Sequence, residues 1–163
     1  MLRPTHPRVR QFDELQLGEV IESSALTVTE AHITSFAGLT GDFHPLHTDH
    51  VTAAQSQYGR PLAHGLLVTG LCNGLLNQTD LFDSFAILSV EYKMLAPVLV
   101  GDTIRATSTL VEKRATRKSD RGIVTYAREV LNQDNTVVQR GRTTFMARIA
   151  DAPRSMPSGE QAQ

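Results

Sequence analysis

Apolar positions change their period once along this chain, near residue 83. Before that point their spacing is helical or irregular; after it side chains alternate. Taken in order, Gly18 to Val28 is short and rich in β-branched residues and predicts a strand. Thr29-Glu30-Ala31-His32 offers a Thr cap and an acid in the first turn, and Ile33, Phe36 and Ala37 follow at helical spacing. A helix over 29–38 is expected, stopped by the glycines of Gly38-Leu39-Thr40-Gly41. Asp49 to Gln55 predicts a short helix with Asp49 as its cap, broken by Tyr58-Gly59-Arg60-Pro61. Leu62 to Asn77 is the most apolar segment, with apolar residues on nearly every face, so a buried helix is expected there. Gly70 and Gly74 lie on one side of it. An interior Gly costs about 1 kcal/mol against Ala. Close approach of a strand or another backbone would offset that cost.

The strand patterns then run 85–95, 103–112, 122–131 and 136–149. Asn132-Gln133-Asp134-Asn135 is turn chemistry between the last two. Strands joined by short loops pair antiparallel. One strand, helices and four long strands make an α+β layer architecture, with the sheet curled around the apolar helix. The chain is expected to hold a single domain over 13–150, preceded by a loose arm over 1–12 and followed by a polar, disordered tail over 151–163.

Composition narrows the function classes. The chain has 163 residues, 40% apolar and 20% charged, as a globular domain with a real core does. A formal net charge of -1 gives no field for nucleic acid or anionic lipid. One cysteine, Cys72, excludes an intrachain disulfide framework, and its apolar neighbours point to a buried, inert thiol. The basic N-terminus has no apolar block behind it, and no window reaches membrane-helix length, so the expected location is cytoplasmic.

Candidate chemistry concentrates in Thr40-Gly41-Asp42-Phe43-His44-Pro45-Leu46-His47-Thr48-Asp49. Gly41 frees the backbone before the acid, and Pro45 disfavours a regular helix between Asp42 and His47. An irregular loop would let both side chains meet at one point. There a carboxylate and an imidazole can hold a water, one taking its proton while the other protonates a substrate. Equally, Asp42 closes the turn and His47 is structural. His44, His47 and His50 recur every third residue, as in zinc sites, but Pro45 disrupts the helix that would align them and no H-E-x-x-H is present, so no metal is expected. A second candidate is the start of the apolar helix, Pro61-Leu62-Ala63-His64-Gly65-Leu66. Free N–H groups at a helix N-terminus can hold an oxyanion, and Gly65 has no side chain in the way. Helix packing explains the same residues. No G-x-S-x-G elbow, P-loop or G-x-G-x-x-G occurs.

Three blocks together resemble one family. Gly41-Asp42-Phe43-His44-Pro45-Leu46-His47, with Ala53 six residues on, is similar to the G-D-x-N-P-[LIV]-H-x(5)-[AS] signature of MaoC-like dehydratases, the (R)-specific enoyl-CoA hydratases. Gly59-Arg60-Pro61-Leu62-Ala63-His64-Gly65-Leu66 resembles that family's R-P-[IL]-[AV]-H-G-[ML] block, and Pro97 to Thr103 its P-V-x-x-G-D-T strand entry. The resemblance spans residues 13 to 149. It implies the hot-dog fold, a homodimer or dimer-based higher oligomer, and a substrate that is an acyl-CoA or acyl carrier protein thioester, with no cofactor besides the CoA of the substrate. It implies reversible syn hydration of a 2-enoyl-CoA to a (3R)-3-hydroxyacyl-CoA. Asp42 and His47 would position the water and Gly65 N–H would polarise the thioester carbonyl. His44, Pro45 and His64 would shape the substrate loop. His44 departs from the family's Asn and puts loop geometry and substrate preference in question. The same fold also carries acyl-CoA thioesterases and would suit a non-catalytic acyl-binding protein.

Overall fold

In a computed structural model, residues 9–149 are described. The expected tail over 151–163 and residues 1–8 of the expected arm lie outside them. The elements run β1 (Val20–Glu22), β2 (Leu26–Thr27), α1 (Glu30–Thr40), α2 (Pro45–Thr48), α3 (His50–Gln55), α4 (Gly65–Thr79), β3 (Ser84–Met94), β4 (Thr103–Ala115), β5 (Arg121–Leu131) and β6 (Val137–Arg148). The sheet is antiparallel, in the order β1-β4-β5-β6-β3, with β2 also on β4. It folds over α4, which makes the hot-dog architecture.

Alternation sets which face of the sheet meets the helix. Ile104, Ala106, Ser108 and Leu110 point inward from β4, and Val124, Tyr126, Arg128 and Val130 from β5. The main core joins Leu67, Val68, Cys72 and Leu76 of α4 to Ile104, Ala106, Val130 and Val138 of the sheet and to Val28 and Ile33. Truncating one such buried Leu to Ala costs on the order of 2–5 kcal/mol. A second cluster, of Phe12, Leu15, Leu110, Val124, Tyr126 and Phe145, closes the far end. Among the described residues no helix is long and apolar enough to cross a membrane.

Five expectations are corrected. Residues 9–12 are not loose: Phe12 is buried, and Arg10 pairs with Glu19 at 2.6 Å and Asp80 at 3.0 Å. The strand expected over 18–28 is two short pieces. Ser23 interrupts it, because its hydroxyl accepts the Ala106 N–H that a ladder would otherwise use. α4 is buried on one side only, and Leu66 on its other side is 68% exposed. Gly70 and Gly74 face open space and make no close backbone approach within this chain. The α1 boundary moves too, since the helix runs through Gly38 and stops at Gly41, whose φ of 79° is left-handed.

Candidate active site

Three sequence blocks meet around the N-terminus of α4, and backbone hydrogen bonds hold them. Leu62 N–H donates to the Leu46 carbonyl at 2.9 Å, which joins the first block to the second. Ala63 N–H donates to the Val98 carbonyl at 2.8 Å and Val100 N–H to the Pro61 carbonyl at 2.9 Å, which join the second to the third. Arg60 Nη2 meets buried Asp102 at 2.6 Å, while its Nη1 donates to the Val100 carbonyl at 2.8 Å. Asp102 also accepts from Leu99 N–H at 2.8 Å. Arg60 and Asp102 are positioning residues. Both stand inside the quoted blocks, but only the fold shows that they bind each other.

The Asp42–His47 segment is not the irregular loop expected. Pro45 is the first residue of the one-turn helix α2, where its missing N–H costs nothing. His44 caps that helix, its Nδ1 accepting from Leu46 N–H at 3.2 Å, and its own N–H donates to Asp42 Oδ1 at 3.3 Å. His44 thus supports the turn itself. α3 follows, capped as expected by Asp49, which accepts from Val51 and Thr52 N–H.

His47, half-buried, points back at the second block. Its Nδ1 donates to the Leu62 carbonyl at 2.6 Å, which leaves Nε2 as the free ring nitrogen. His64 stacks on it with ring centroids 3.8 Å apart. His64 is 3% exposed, and its Nε2 donates to the Asp42 main-chain carbonyl at 2.9 Å. Its Nδ1 is buried without a partner among the described residues. Asp42 is half-exposed, with a carboxylate oxygen 4.0 Å from His64 Nε2. Side-chain donor atoms of Asp42, His47 and His64 all lie within 4.8 Å of one another. One water with hydrogen bonds of about 2.8 Å to two of them spans such a gap. The same triad is close enough to approach a cation. The histidines spaced every third residue do not form that group, and His50 instead faces Glu30 at 3.4 Å.

Gly65 opens α4 directly after His64, so its N–H belongs to the unsatisfied first turn. A Cβ at Gly65 would stand 3.0 Å from Met94 Cε. Its carbonyl accepts from Gln139 Nε2 at 2.8 Å and Thr69 Oγ1 at 3.2 Å. A cavity of about 300 Å³ opens beside it, lined by Tyr58, Leu62, Gly65, Met94, Pro97 and Gln139 among others. Tyr58, Met94 and Gln139 carried no local signal for a site. They reach it from other elements, and nothing in their own neighbourhoods of sequence marks them.

The fold is a hot-dog domain with an acid and an imidazole set beside the N-terminus of its central helix. The chain belongs to the MaoC-like family: the MaoC like domain matches residues 14–131. It is 34% identical over 111 residues to the (R)-specific enoyl-CoA hydratase of Aeromonas caviae, covering 68% of this chain and 80% of that protein. It is 34% identical over 117 residues to Protein MaoC of Klebsiella aerogenes, covering 71% of this chain but only 34% of that longer protein. Among solved structures, a monoamine oxidase regulatory protein from the archaeon Archaeoglobus superposes with TM-score 0.80 at 35% identity, covering 91% of this chain and 99% of that one. The R-hydratase PhaJ1 of Pseudomonas aeruginosa gives 0.75 at 27%, covering 85% and 86%.

Proposed function

We propose that this chain is a hydro-lyase that interconverts a 2-enoyl-CoA and the (3R)-3-hydroxyacyl-CoA by syn addition of water. The observation that carries the reading is the convergence of Asp42 and His47 within 4.8 Å beside the opening turn of α4. A water held by the two is deprotonated by one of them as its oxygen bonds to C3. The C2=C3 bond becomes an enolate, and C2 then takes a proton from the same pair. The reverse order gives dehydration. The negative charge developing on the thioester oxygen faces Gly65 N–H, where the helix N-terminus is complementary to it. The Leu62 carbonyl holds His47 in one tautomer, so Nε2 is the nitrogen that moves protons. The hydratases named above support this reading by their similarity.

The test follows loss of the enoyl-thioester absorbance of crotonyl-CoA, with CoA and acyl carrier protein forms compared. Asp42→Asn and His47→Gln are each expected to lower kcat on the order of 10²–10⁴-fold. Wild-type rates in both variants would sink the assignment. A parallel free-thiol assay separates hydration from thioester hydrolysis, because only hydrolysis releases CoA-SH.

A further inference from the structure

The candidate site leaves one charged surface cavity unexplained. It measures about 690 Å³ and lies against β3 and β6, with Lys93, Arg140 and Arg142 in its lining. Glu91 is the one carboxylate among its described lining residues. Lys93 and Arg142 are exposed, and neither side chain has a partner among the described residues. Arg140 gives only its Nε to Glu129, at 2.6 Å. The chain as a whole has a formal net charge of -1, so this positive field is local. A concave surface lined mainly by one sign of charge concentrates the opposite ion.

Strand geometry ties this cavity to the one beside Gly65. The register of β3 on β6 pairs Met94 with Gln139 and Lys93 with Arg140. Met94 and Gln139 reach Gly65 on the helix side: a Cβ at Gly65 would touch Met94, and Gln139 Nε2 donates to the Gly65 carbonyl. Successive side chains on a strand point to opposite faces, so Lys93 and Arg140 stand on the face turned away from α4. Consecutive residues of the same two strands therefore line the two cavities. Their Cα atoms are about 3.8 Å apart, and little more than the thickness of the sheet separates one cavity from the other. β3 is an outer strand that ends at Met94, which leaves an edge for a chain to cross. No charged residue lines the Gly65 cavity among the described residues, which suits the neutral arm of a thioester. The cations beyond it suit an anion at the end of that arm.

We propose that Lys93, Arg140 and Arg142 hold the nucleotide phosphates of CoA, so that the substrate's carrier is free CoA and its arm crosses the β3 edge at Met94. This rests on the reading of Gly65 as the thioester anchor. CoA brings a pyrophosphate and a 3′-phosphate to the cavity, whereas the arm of a carrier protein brings one phosphodiester. Titration calorimetry, which needs no turnover, compares butyryl-CoA, butyryl-dephospho-CoA and butyryl-pantetheine. The CoA form is expected to bind more tightly than the pantetheine form by on the order of 10- to 100-fold, the range for hydrogen bonds to charged groups. The dephospho form should fall between them. Lys93→Gln with Arg142→Gln should bring the CoA and pantetheine forms nearly to equal affinity. Lys118, exposed on the turn between β4 and β5, is the control, and Lys118→Gln should leave the ratio as it is. Equal affinity of the three forms for the wild-type protein, a ratio that survives in the folded double variant, or one that falls as far in Lys118→Gln would overturn the inference. The wild-type series decides alone if the double variant does not fold. Hydration of crotonyl-CoA and crotonyl-pantetheine is assayed alongside. Phosphate-dependent binding with no hydration removes the hydratase reading and leaves the CoA site standing. Hydration of both with equal affinity does the reverse.

Discussion

His64 touches more of the candidate site than its place in the chain suggests. One ring face lies on His47, while Nε2 holds the main chain of Asp42, 22 residues earlier. Both members of the dyad therefore depend on a buried ring that touches no open solvent. His64→Leu keeps the bulk and loses the hydrogen bond, and should lower stability by about 0.5–1.5 kcal/mol. Its effect on kcat should be larger, on the order of 10-fold or more, because a small displacement of Asp42 misaligns the water. His64→Gln, which can still donate to the Asp42 carbonyl, should recover part of the rate. Steady-state kinetics and thermal melts on the two variants measure the difference. Residue types and order offered Asp42, His47 and Gly65 as candidates beside structural readings of the same residues. They did not reveal the Leu62 carbonyl that fixes the His47 tautomer, because a main-chain partner leaves no mark in sequence.

At the scale of elements, alternation located β3 to β6 to within a few residues, since a period of two survives any tertiary setting that buries one face. The failures were local. Pro45 disfavours a regular helix through Asp42 and His47, yet at the first position of a helix a proline loses no hydrogen bond. The single strand expected over 18–28 broke where a serine hydroxyl replaced a main-chain partner. β3 and β6 meet at a point that leaves no space for a side chain: a Cβ at Gly141 would run into the Glu91 carbonyl and Tyr92. Gly141→Ala is expected to part this pairing and cost about 1–3 kcal/mol, the usual range for overpacking. Gly74→Ala, whose Cβ would enter open space, should stabilise α4 by up to about 1 kcal/mol. Denaturant melts of the two variants should move in opposite directions.

At the scale of the whole molecule, the sheet ends, among the described residues, in a long unpaired edge. β3 is an outer strand of 11 residues and exposes Phe85, Ile87, Leu88, Val90 and Met94. Bare apolar edges of this length invite pairing with another chain. The family resemblance implies a homodimer, and we infer that the second copy covers this edge. Sedimentation should give twice the monomer mass, and Ile87→Lys with Val90→Lys should shift the protein toward monomer. If the site needs the second copy, activity will fall with the dimer fraction; an undisturbed dimer in the double variant would refute this edge as the interface.

Sequence by itself determined the period of the four long strands, the caps Thr29 and Asp49, and the order of the three blocks that hold Asp42, His47 and Gly65. Those are local properties, written in residue type and spacing over a few positions. Tertiary structure decided what lay between them. It set Leu62 against Leu46 and His47, paired Arg60 with Asp102, brought Met94 and Gln139 to the mouth of α4, and buried Arg128 beside Asn73. These contacts join residues 15 to 74 positions apart. Their geometry exists only once the sheet has closed over α4.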